Sequence, residues 1–550
     1  MARRPVRSRL TVRRAVVALT ALALCLRLVG LGARVAHWDE ARVAYWTLRA
    51  TETGRWTYRP IVHGPLLQHL LRWLFPVLGA SDATMRLPVA LLGGLLPLAA
   101  LLFRPRLDDA ETVALAAVLT LCPLFVLYSR FLRSDLPLAA FAFVVVGALV
   151  RLRATGRPRY LYLAAVAGAL ALATKENVLL YPVAWAGAGA VVLAVRRDPG
   201  PLSVSVSRRW FWHLLLALVA ALAIVVFLYA PRGPAGLWAA VREPSLWPAV
   251  VGEATVGTAR KAAFWLQRPH RAHSYLGYLG HFLAVLAVGS GALVAFAVVG
   301  TLADCDRPLV AFGALWGAAS VVGYPFVADV RAPWLALHAL VALALPAAVG
   351  LAHVARRARP ALDGTPDAGA RVFLALLVVA GAQVAVVNAT TNYTRPPAEA
   401  DFLHQGAQPG SDLRPDLETI ARRAPRNAGP DVVYYGSLAV ADERVNDRPP
   451  AAANWYHRLP FPWYTEAANA TVASARTPAE LRRLDAPVVI VPAENWSEVA
   501  PAMDGYDAHV ERRKRIATST YAAFGVRRHF DGGEVVVFVA RADERSESAE

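Results

Sequence analysis

Long apolar runs separated by short polar segments occupy the first 390 residues of the chain. A helix needs about 20 predominantly apolar residues to cross the hydrocarbon core of a bilayer. The pattern therefore predicts about eleven transmembrane helices, of which several between residues 113 and 173 are short for a full span. The runs lie at residues 15–33, 87–103, 113–128, 136–150, 160–173, 178–195, 210–230, 275–303, 309–327, 333–354 and 372–388.

A different pattern begins after residue 390, where β-branched runs alternate with polar stretches. The runs lie in PDVVYYGS (430–437), APVVIVPAENW (486–496) and GEVVVFVAR (533–541). Turn-forming residues bound each run, and helix-compatible stretches lie between them, which is typical of a small soluble α/β domain. The predicted organisation is a basic N-terminus (1–14), a polytopic α-helical membrane domain (15–390) with a long first outer loop (34–86), and a C-terminal α/β domain (391–550).

Composition supports a membrane protein and changes the meaning of the positive charge. The 550 residues are 56% hydrophobic and carry a formal net charge of +18, nearly all of it from arginine. Most of the arginine lies in short loops beside apolar runs, where positive residues set membrane orientation and contact lipid headgroups. We therefore predict a membrane-lipid partner and no nucleic-acid partner.

The same loops predict which side of the membrane each segment faces. With the N-terminus in the cytoplasm, the basic loops fall on the cytoplasmic side and an odd number of spans places the C-terminal domain outside. Glycosylation sequons agree with that orientation, since they occur at Asn388, Asn392, Asn469 and Asn495. The predicted localisation is the cell membrane, with several spans, a cytoplasmic N-terminus and an extracellular C-terminal domain.

Ionisable side chains collect at the predicted outer ends of the spans. Charge in or near the hydrocarbon region is costly, so such residues are candidates for function. No phosphate-binding glycine loop, metalloprotease helix or cysteine-based zinc site accompanies them. The candidates are Asp39, Glu40, His63, Arg130, Arg133, Asp135, Lys175, Glu176, Arg268 and His270.

A lipid-linked phosphosugar requires this mixture of charges at a membrane interface. Cations stabilise the phosphate as it leaves, because negative charge accumulates there in the transition state. A carboxylate deprotonates the incoming hydroxyl as a general base. Asp39 is the best candidate for the base because the preceding span anchors it near the interface. Glu40 beside it would either orient the acceptor or set the pKa of Asp39 by like-charge coupling.

Short motifs around these residues resemble those of a known superfamily. The motifs are HWDEARVAYW (37–46), HGPLLQHL (63–70), SRFLRSD (129–135) and TKEN (174–177). Together they resemble the GT-C membrane glycosyltransferases, in particular the protein mannosyltransferases and the lipid A aminoarabinose transferase. The set is most similar to the archaeal flippase activity-associated proteins of N-glycosylation. PFPWYTE (460–466) in the tail resembles a Trp/Tyr-rich motif of the outer domains of these proteins.

The resemblance implies a reaction and roles for the candidates. It implies transfer of a sugar, in the manner of a mannosyltransferase, from a polyprenyl (dolichyl) phosphate to a glycan or protein acceptor on the outer face, in N-glycosylation. A divalent metal is possible because oligosaccharyl-transferring relatives use one, but no cofactor is assigned, since the sequence shows no convincing ligand set. The implied catalytic acids are Asp39, with Glu40 beside it, and Asp135; the substrate-binding residues are His63, Arg130, Arg133, Lys175, Glu176, Arg268 and His270.

Each cluster also has a purely structural explanation. Asp39 and Glu40 can serve only to cap a helix predicted over residues 39–52, since acids in a first turn favour the helix dipole. Arg133 can pair with Asp135, and Lys175 can pair with Glu176, so that each pair neutralises itself. Arg268 and His270 can lie in a solvated basic patch.

Two other functions fit the whole chain less well. A non-catalytic flippase or transport accessory protein would bind the same lipid-linked sugar without chemistry. Transporters tend to place their binding groups at mid-membrane depth between repeated halves, whereas the charges here collect at one surface and no internal repeat is visible. A non-enzymatic assembly protein acting through the tail would leave the acids of the outer loops unexplained.

Overall fold

The computed structural model divides the chain into two compact units. The first comprises Met1–Leu31, Gly54–Leu70 and Arg86–Tyr393, and the second Gly32–Thr53, Leu71–Met85 and Thr394–Glu550. Two segments of the predicted first outer loop (34–86) are thus grouped with the C-terminal region. The structure describes residues 6–196, 208–263, 265, 273–328, 330–364, 367–394, 402–404, 407–424, 427–444, 451–513 and 533–541.

Helices dominate the described residues, and one short mixed sheet lies near the C-terminus. The helices are α1 (Val6–Leu28), α2 (Trp38–Thr53), α3 (Pro65–Leu78), α4 (Asp82–Leu95), α5 (Asp109–Leu121), α6 (Pro123–Ser129), α7 (Asp135–Thr155), α8 (Arg159–Leu172), α9 (Leu180–Arg196), α10 (Arg208–Tyr229), α11 (Leu237–Arg242), α12 (Trp247–Gly252), α13 (Thr258–Ala262), α14 (Tyr275–Asp304), α15 (Pro308–Val327), α16 (Ala336–Leu362), α17 (Ala368–Val387), α18 (Arg414–Arg423), α19 (Phe461–Ala467), α20 (Pro478–Leu484) and α21 (Trp496–Val499). The strands are β1 (Val432–Tyr435), β2 (Val472–Ala475), β3 (Val488–Pro492), β4 (Tyr506–Arg512) and β5 (Glu534–Ala540).

The first unit contains the helices that can cross a membrane. Within the described part of the chain, eight helical segments are long and apolar enough to span a bilayer, or nine if α5 and α6 form one bent span. The bend of 50° between α5 and α6 falls at Pro123, which cannot donate a backbone hydrogen bond. The protein is therefore a multi-pass membrane protein, but the predicted count of about eleven spans is not confirmed. The predicted run at 160–173, for example, forms the 14-residue helix α8.

Helix α16 is the most buried of the candidate spans, and glycines allow its neighbours to approach it closely. A β-carbon on Gly300 of α14 would lie 1.9 Å from the carbonyl oxygen of Pro346. A β-carbon on Gly350 of α16 would lie 1.9 Å from that of Phe296. Small residues at such crossings let helix backbones pack directly together in a membrane. The contact fixes α16, whose first turn carries a residue of the candidate site, His338.

The second unit is built around a five-stranded sheet with the order β2-β1-β3-β5-β4. Strands β1, β2 and β3 run parallel, whereas β5 is antiparallel to both β3 and β4. Alternate residues of each strand face opposite sides, and helices cover both: Leu417 of α18 packs on one side and Leu481 of α20 on the other. The predicted small sheet domain is confirmed, and the three predicted runs form β1, β3 and β5.

We predict that Gly300→Ala destabilises the first unit. The added methyl group would meet the backbone of α16, and overpacking of this kind costs about 1–3 kcal/mol or more. The melting temperature of the purified protein in detergent should therefore fall. Gly280→Ala on the same helix is the matched control, because no atom lies within 4 Å of a β-carbon there. Equal melting temperatures for the two variants would contradict the close crossing.

Candidate functional site

The candidate site of the first unit forms around the buried carboxylate of Asp135, whose side chain is 1% exposed. Lys175 Nζ donates a hydrogen bond of 2.8 Å to Oδ1 of Asp135. His338 Nε2 lies 3.3 Å from the same oxygen, and Arg133 Nε lies 3.8 Å from Oδ2. A buried charge needs such partners, because an unpaired one is strongly destabilising. The structure thus brings together Asp135, Arg133 and Lys175 from the sequence analysis and adds His338.

A break in the helices places Lys175 and Glu176 beside different partners. Helix α8 ends at Leu172, and Lys175 has an extended backbone with φ −161° and ψ 148°. Lys175 contacts Asp135, whereas Glu176 accepts hydrogen bonds from Tyr58 Oη at 2.5 Å and from His63 Nδ1 at 3.0 Å. The alternative in which Lys175 and Glu176 pair only with one another is therefore wrong.

His63 is held in a strained backbone conformation, with φ 62°. Such conformations persist only where the surroundings fix them, and they are frequent at functional sites. Gly64 is required next to it, because a β-carbon there would lie 2.4 Å from the carbonyl oxygen of Ala173. The ring of His63 stacks on Trp265 with 5.6 Å between centroids.

Burial lowers the pKa of the His63 imidazole, and the nearby Lys175 ammonium lowers it further. The neutral ring therefore predominates near pH 7. Because a carboxylate can only accept, the Nδ1 proton of this ring points to Glu176 and Nε2 is left as a hydrogen-bond acceptor. The same carboxylate raises the pKa of Tyr58, after the larger effect of burial.

The sequence analysis missed His338, which is fully buried near the start of α16. Its Nδ1 lies 2.7 Å from Tyr181 Oη, and its ring stacks on Tyr324 with 4.6 Å between centroids. Asn177 Nδ2 lies 3.2 Å from Nε2. The available signal was a histidine inside the apolar run 333–354, since ionisable residues within spans are functional candidates.

An apolar groove of about 390 Å³ lies between α9 and α15. Tyr181 and Tyr324 line it, and both also contact His338. Further along, Gly187 of α9 and Gly323 of α15 keep it open, because no atom lies within 4 Å of a β-carbon at either position. The groove is therefore connected to the charged cluster through the two tyrosines.

Arg130 is used differently from Arg133. Its guanidinium donates hydrogen bonds to the carbonyl oxygens of Leu26, Arg27, Val29 and Gly30 at 2.7–3.2 Å, around the C-terminal end of α1. Those carbonyl groups lack partners within the helix, and a cation there also favours the helix dipole. This geometry is that of a C-terminal helix cap. Arg133, in contrast, places its guanidinium carbon 3.4 Å from the centroid of the Trp334 ring.

Asp39 and Glu40 belong to the second unit, in the first turn of α2, which confirms the helix predicted over 39–52. Glu40 is fully buried, accepts a hydrogen bond of 2.9 Å from the backbone nitrogen of His37 and pairs with Arg34 at 2.8 Å. This carboxylate caps the helix, as the structural explanation predicts. Asp39 is 21% exposed and pairs with Arg42 at 2.9 Å.

The PFPWYTE segment forms α19 and the residue before it. Its Trp463 and Tyr464 both donate hydrogen bonds to Asp82, at 3.0 and 2.8 Å. Burial raises the pKa of Glu466 to about 7, although Arg49 lies 3.0 Å away and favours the ionised form. The polar atoms of the motif are thus engaged within the second unit.

Two predicted substrate-binding residues, Arg268 and His270, lie outside the residues that the structure describes. Across the described ranges, no group of three or more His, Cys, Asp or Glu side chains is arranged to hold a metal ion. Oδ1 of Asp135 is already bonded to an ammonium group. These residues do not fit the divalent metal that the resemblance allows, and no catalytic step is assigned to one.

Two family models match separate parts of the chain. Residues 62–229 match the dolichyl-phosphate-mannose-protein mannosyltransferase model. This matched range includes His63, Asp135 and Lys175. Residues 413–540 match the model of the Agl23 flippase-associated protein C-terminal domain. No curated protein sequence matches the chain significantly.

Solved structures with the same fold are membrane glycosyltransferases. ArnT from Cupriavidus metallidurans in the apo state is 18% identical, with 95% of this chain and 97% of that chain covered and a TM-score of 0.55. ArnT bound to undecaprenyl phosphate gives 17% identity, 96% and 98% coverage and a TM-score of 0.53. The Archaeoglobus fulgidus oligosaccharyltransferase AglB, in complex with an inhibitory peptide and a dolichol-phosphate, gives 13% identity, 92% and 73% coverage and a TM-score of 0.51.

The fold and the two family models agree with the resemblance read from the short motifs. The helical part of the chain provides the spans and the charged cluster, and the C-terminal part provides the small sheet domain. The chain has the GT-C fold, with a helical segment similar to the dolichyl-phosphate-mannose-protein mannosyltransferases and a C-terminal segment similar to the C-terminal domain of the Agl23 flippase-associated protein.

Proposed function

We propose that the protein is a glycosyltransferase that takes a sugar from a polyprenyl phosphate carrier and transfers it to a glycan or protein acceptor. The acceptor side of the reaction lies on the outer face of the membrane and serves N-glycosylation. The sugar is a hexose, in the manner of the mannosyltransferases. The likeness to ArnT and AglB supports the carrier, since those proteins bind undecaprenyl phosphate and a dolichol-phosphate.

The observation that carries the proposal is the connection between the apolar groove and the buried charges. A polyprenyl phosphate combines a long hydrocarbon chain with an anionic group at one end. The groove between α9 and α15 suits the hydrocarbon chain, and its two tyrosines contact His338, which contacts Asp135. A soluble phosphosugar would not need the apolar part of this arrangement.

The cations of the cluster suit the departing phosphate. Lys175 and Arg133 together carry two positive charges, and Asp135 carries one negative charge, so the three groups sum to one positive charge. In the absence of substrate the carboxylate neutralises part of this charge. When the bond from the anomeric carbon to the phosphate oxygen breaks, Lys175 and Arg133 would stabilise the charge that accumulates on the phosphate.

The acceptor needs a base as the new bond forms. In the proposed reaction Asp39 takes the proton of an acceptor hydroxyl while the oxygen of that hydroxyl attacks the anomeric carbon. The carrier leaves as polyprenyl phosphate. The configuration at the anomeric carbon is then inverted. Asp39 is preferred over Glu40 because the Glu40 carboxylate is fully buried and bonded to Arg34 and to the backbone of His37.

We predict that Lys175→Gln lowers sugar transfer by about 10²–10³-fold, which is typical of removing one group that stabilises a developing anion. The measurement is release of free polyprenyl phosphate from a radiolabelled polyprenyl-phosphate mannose added to membranes of a native host that lacks the wild-type gene. Lys261→Gln is the matched control, since Lys261 pairs with Glu253 and lies outside the cluster.

Loss of Lys175 alone leaves Asp135 with a weaker set of partners and can unfold the protein. The double variant Lys175→Gln with Asp135→Asn removes both charges and should fold, but it should remain inactive. Wild-type transfer by the folded double variant would contradict the proposed role of the cluster.

We predict that Gly187→Phe weakens binding of the carrier by tenfold or more, about 1.4 kcal/mol, because the ring would occupy the groove. Binding of radiolabelled polyprenyl phosphate to the purified protein measures the effect. Gly189→Phe is the control on the same helix, since Gly189 also has open space around it but does not line the groove. Equal affinities for the two variants would remove the groove from the proposal.

We predict that Asp39→Asn lowers transfer by about 10²–10⁴-fold, the usual contribution of a general base, while carrier binding stays unchanged. Asn keeps the size and the hydrogen-bonding capacity of the side chain. The control is Asp507→Asn, an exposed acid of the same unit that pairs with Arg541. Full transfer by Asp39→Asn would exclude it as the base, and carrier binding without any transfer by the wild type would favour the accessory function.

A further inference from the structure

The four glycosylation sequons of the chain differ sharply in the surroundings of their asparagine side chains. All four asparagines, at 388, 392, 469 and 495, lie among the described residues. In N-glycosylation the side-chain nitrogen, Nδ2, becomes the attachment atom of the sugar. An asparagine can therefore carry a glycan in the folded protein only where Nδ2 is not needed inside the structure and where solvent has room for the sugar.

Asn388 and Asn392 do not meet this requirement. They lie in one π-helical turn after α17. Nδ2 of Asn388 donates to the carbonyl oxygens of Leu121 and Val384 at 3.0 and 2.9 Å. Nδ2 of Asn392 donates to Oδ1 of Asn388 at 2.9 Å, and Asn392 is buried. A glycan at either residue would break bonds that close the end of a membrane-spanning helix.

Asn495 is also engaged. Its Nδ2 donates to Glu498 at 3.2 Å. Its Oδ1 lies so near Gly436 that a β-carbon on that glycine would approach it to 2.9 Å. The side chain thus fills space between the end of β3 and the residues after β1, and a sugar on it would need this contact to open.

Asn469 is the exception. It is exposed in the turn between α19 and β2, and its backbone has φ 51°, a left-handed conformation that Asn adopts more readily than most residues. Its backbone nitrogen closes the turn by donating to Glu466 at 3.0 Å, so the turn does not rely on the side-chain amide. We propose that Asn469 carries an N-linked glycan in the native protein, and that Asn388, Asn392 and Asn495 do not.

The bond change is a glycosyl transfer from a lipid-linked oligosaccharide. Nδ2 of Asn469 bonds to the anomeric carbon as the bond from that carbon to the carrier's phosphate oxygen breaks. The amide loses one proton to a base of the modifying enzyme, and the phosphate leaves with the electron pair. The inference rests on the proposed function, because it needs Asn469 on the outer face of the membrane, where the proposed reaction takes place.

The threonine of the Asn469 sequon is hydrogen-bonded in the folded unit. The sequon hydroxyl, on Thr471, donates to Asp431 Oδ2 at 2.8 Å and contacts the carbonyl oxygen of Gly429 at 3.0 Å. The Thr471 backbone nitrogen donates to the same carboxylate at 2.6 Å, immediately before β2 pairs with β1. An enzyme that binds the sequon hydroxyl therefore needs these Thr471 hydrogen bonds to open, whereas the Asn469 side chain itself is exposed in the folded unit.

The test is the intact mass of the full-length protein purified from membranes of its native host, followed by mapping of glycopeptides. Asn469→Asp should lose the whole added mass, because Asp keeps the shape and the tolerance for a left-handed backbone but cannot accept the sugar. Thr471→Ser preserves the sequon and should keep the glycan. Asn388→Asp and Asn392→Asp should leave the added mass unchanged.

Other outcomes would overturn the inference. Wild-type protein without added mass, or Asn469→Asp protein that retains it, would exclude Asn469, and a sugar mapped to Asn388 or Asn392 would contradict the selection by side-chain engagement. These results are independent of the transfer assay. Glycosylation of Asn469 in a protein whose Lys175→Gln variant transfers normally would leave the inference standing and remove the proposed function.

Discussion

A carboxylate that is buried at the end of a membrane-spanning helix has to be paired, and much of the first unit serves to pair Asp135. The cost of leaving such a charge alone is several kcal/mol, which is comparable to the stability of a whole domain. Lys175 from the break after α8 and His338 from the first turn of α16 meet this requirement. The helices that carry these residues are therefore coupled to one another through a single oxygen atom.

The close crossing of α14 and α16 has a consequence for this cluster. Because Gly300 and Gly350 bring the two backbones into direct contact, α16 has little freedom to shift along its axis. His338 is then fixed relative to Tyr181 and Tyr324, which form one end of the apolar groove. A rigid helix thus connects a groove suited to a hydrocarbon chain with charges suited to a phosphate, and preorganised charges of this kind stabilise a transition state most effectively.

The sequence predicted those features that depend on local pattern. The apolar runs located the eight helical segments that can span a bilayer within the described residues, although the predicted count of about eleven is not confirmed. The β-branched runs located β1, β3 and β5, which are the three central strands. It missed β2 and β4, the two edge strands, since β4 has four consecutive exposed residues and therefore lacks a buried face. Local pattern is therefore weak for a strand such as β4, whose middle residues are exposed on both sides.

The sequence also could not identify contacts between residues that lie far apart along the chain. The sequence identified the charges around residues 133–135 and 175. It did not decide the partner of Lys175, because the adjacent Glu176 was as plausible as Asp135, 40 residues away. The extended backbone at Lys175 decides which of the two acids, Asp135 or Glu176, its side chain contacts. The helix break after α8 that produces this conformation is not visible in the sequence as a turn motif. The histidine within the run 333–354 was visible in the sequence, but its contacts with Asp135 and Tyr181 were not, because both partners lie more than 150 residues away.

The adjacent acids of α2 show how a structure can separate residues that a sequence treats as a pair. The Glu40 carboxylate accepts a hydrogen bond from the backbone nitrogen of His37 and pairs with Arg34, and it is buried from solvent. Protonating or moving it would release both contacts, so it is poorly suited to exchange protons with a substrate. Asp39 pairs with Arg42, and part of its surface is open. If one acid of this pair acts in chemistry, the burial and bonding of Glu40 leave Asp39 as the suitable one.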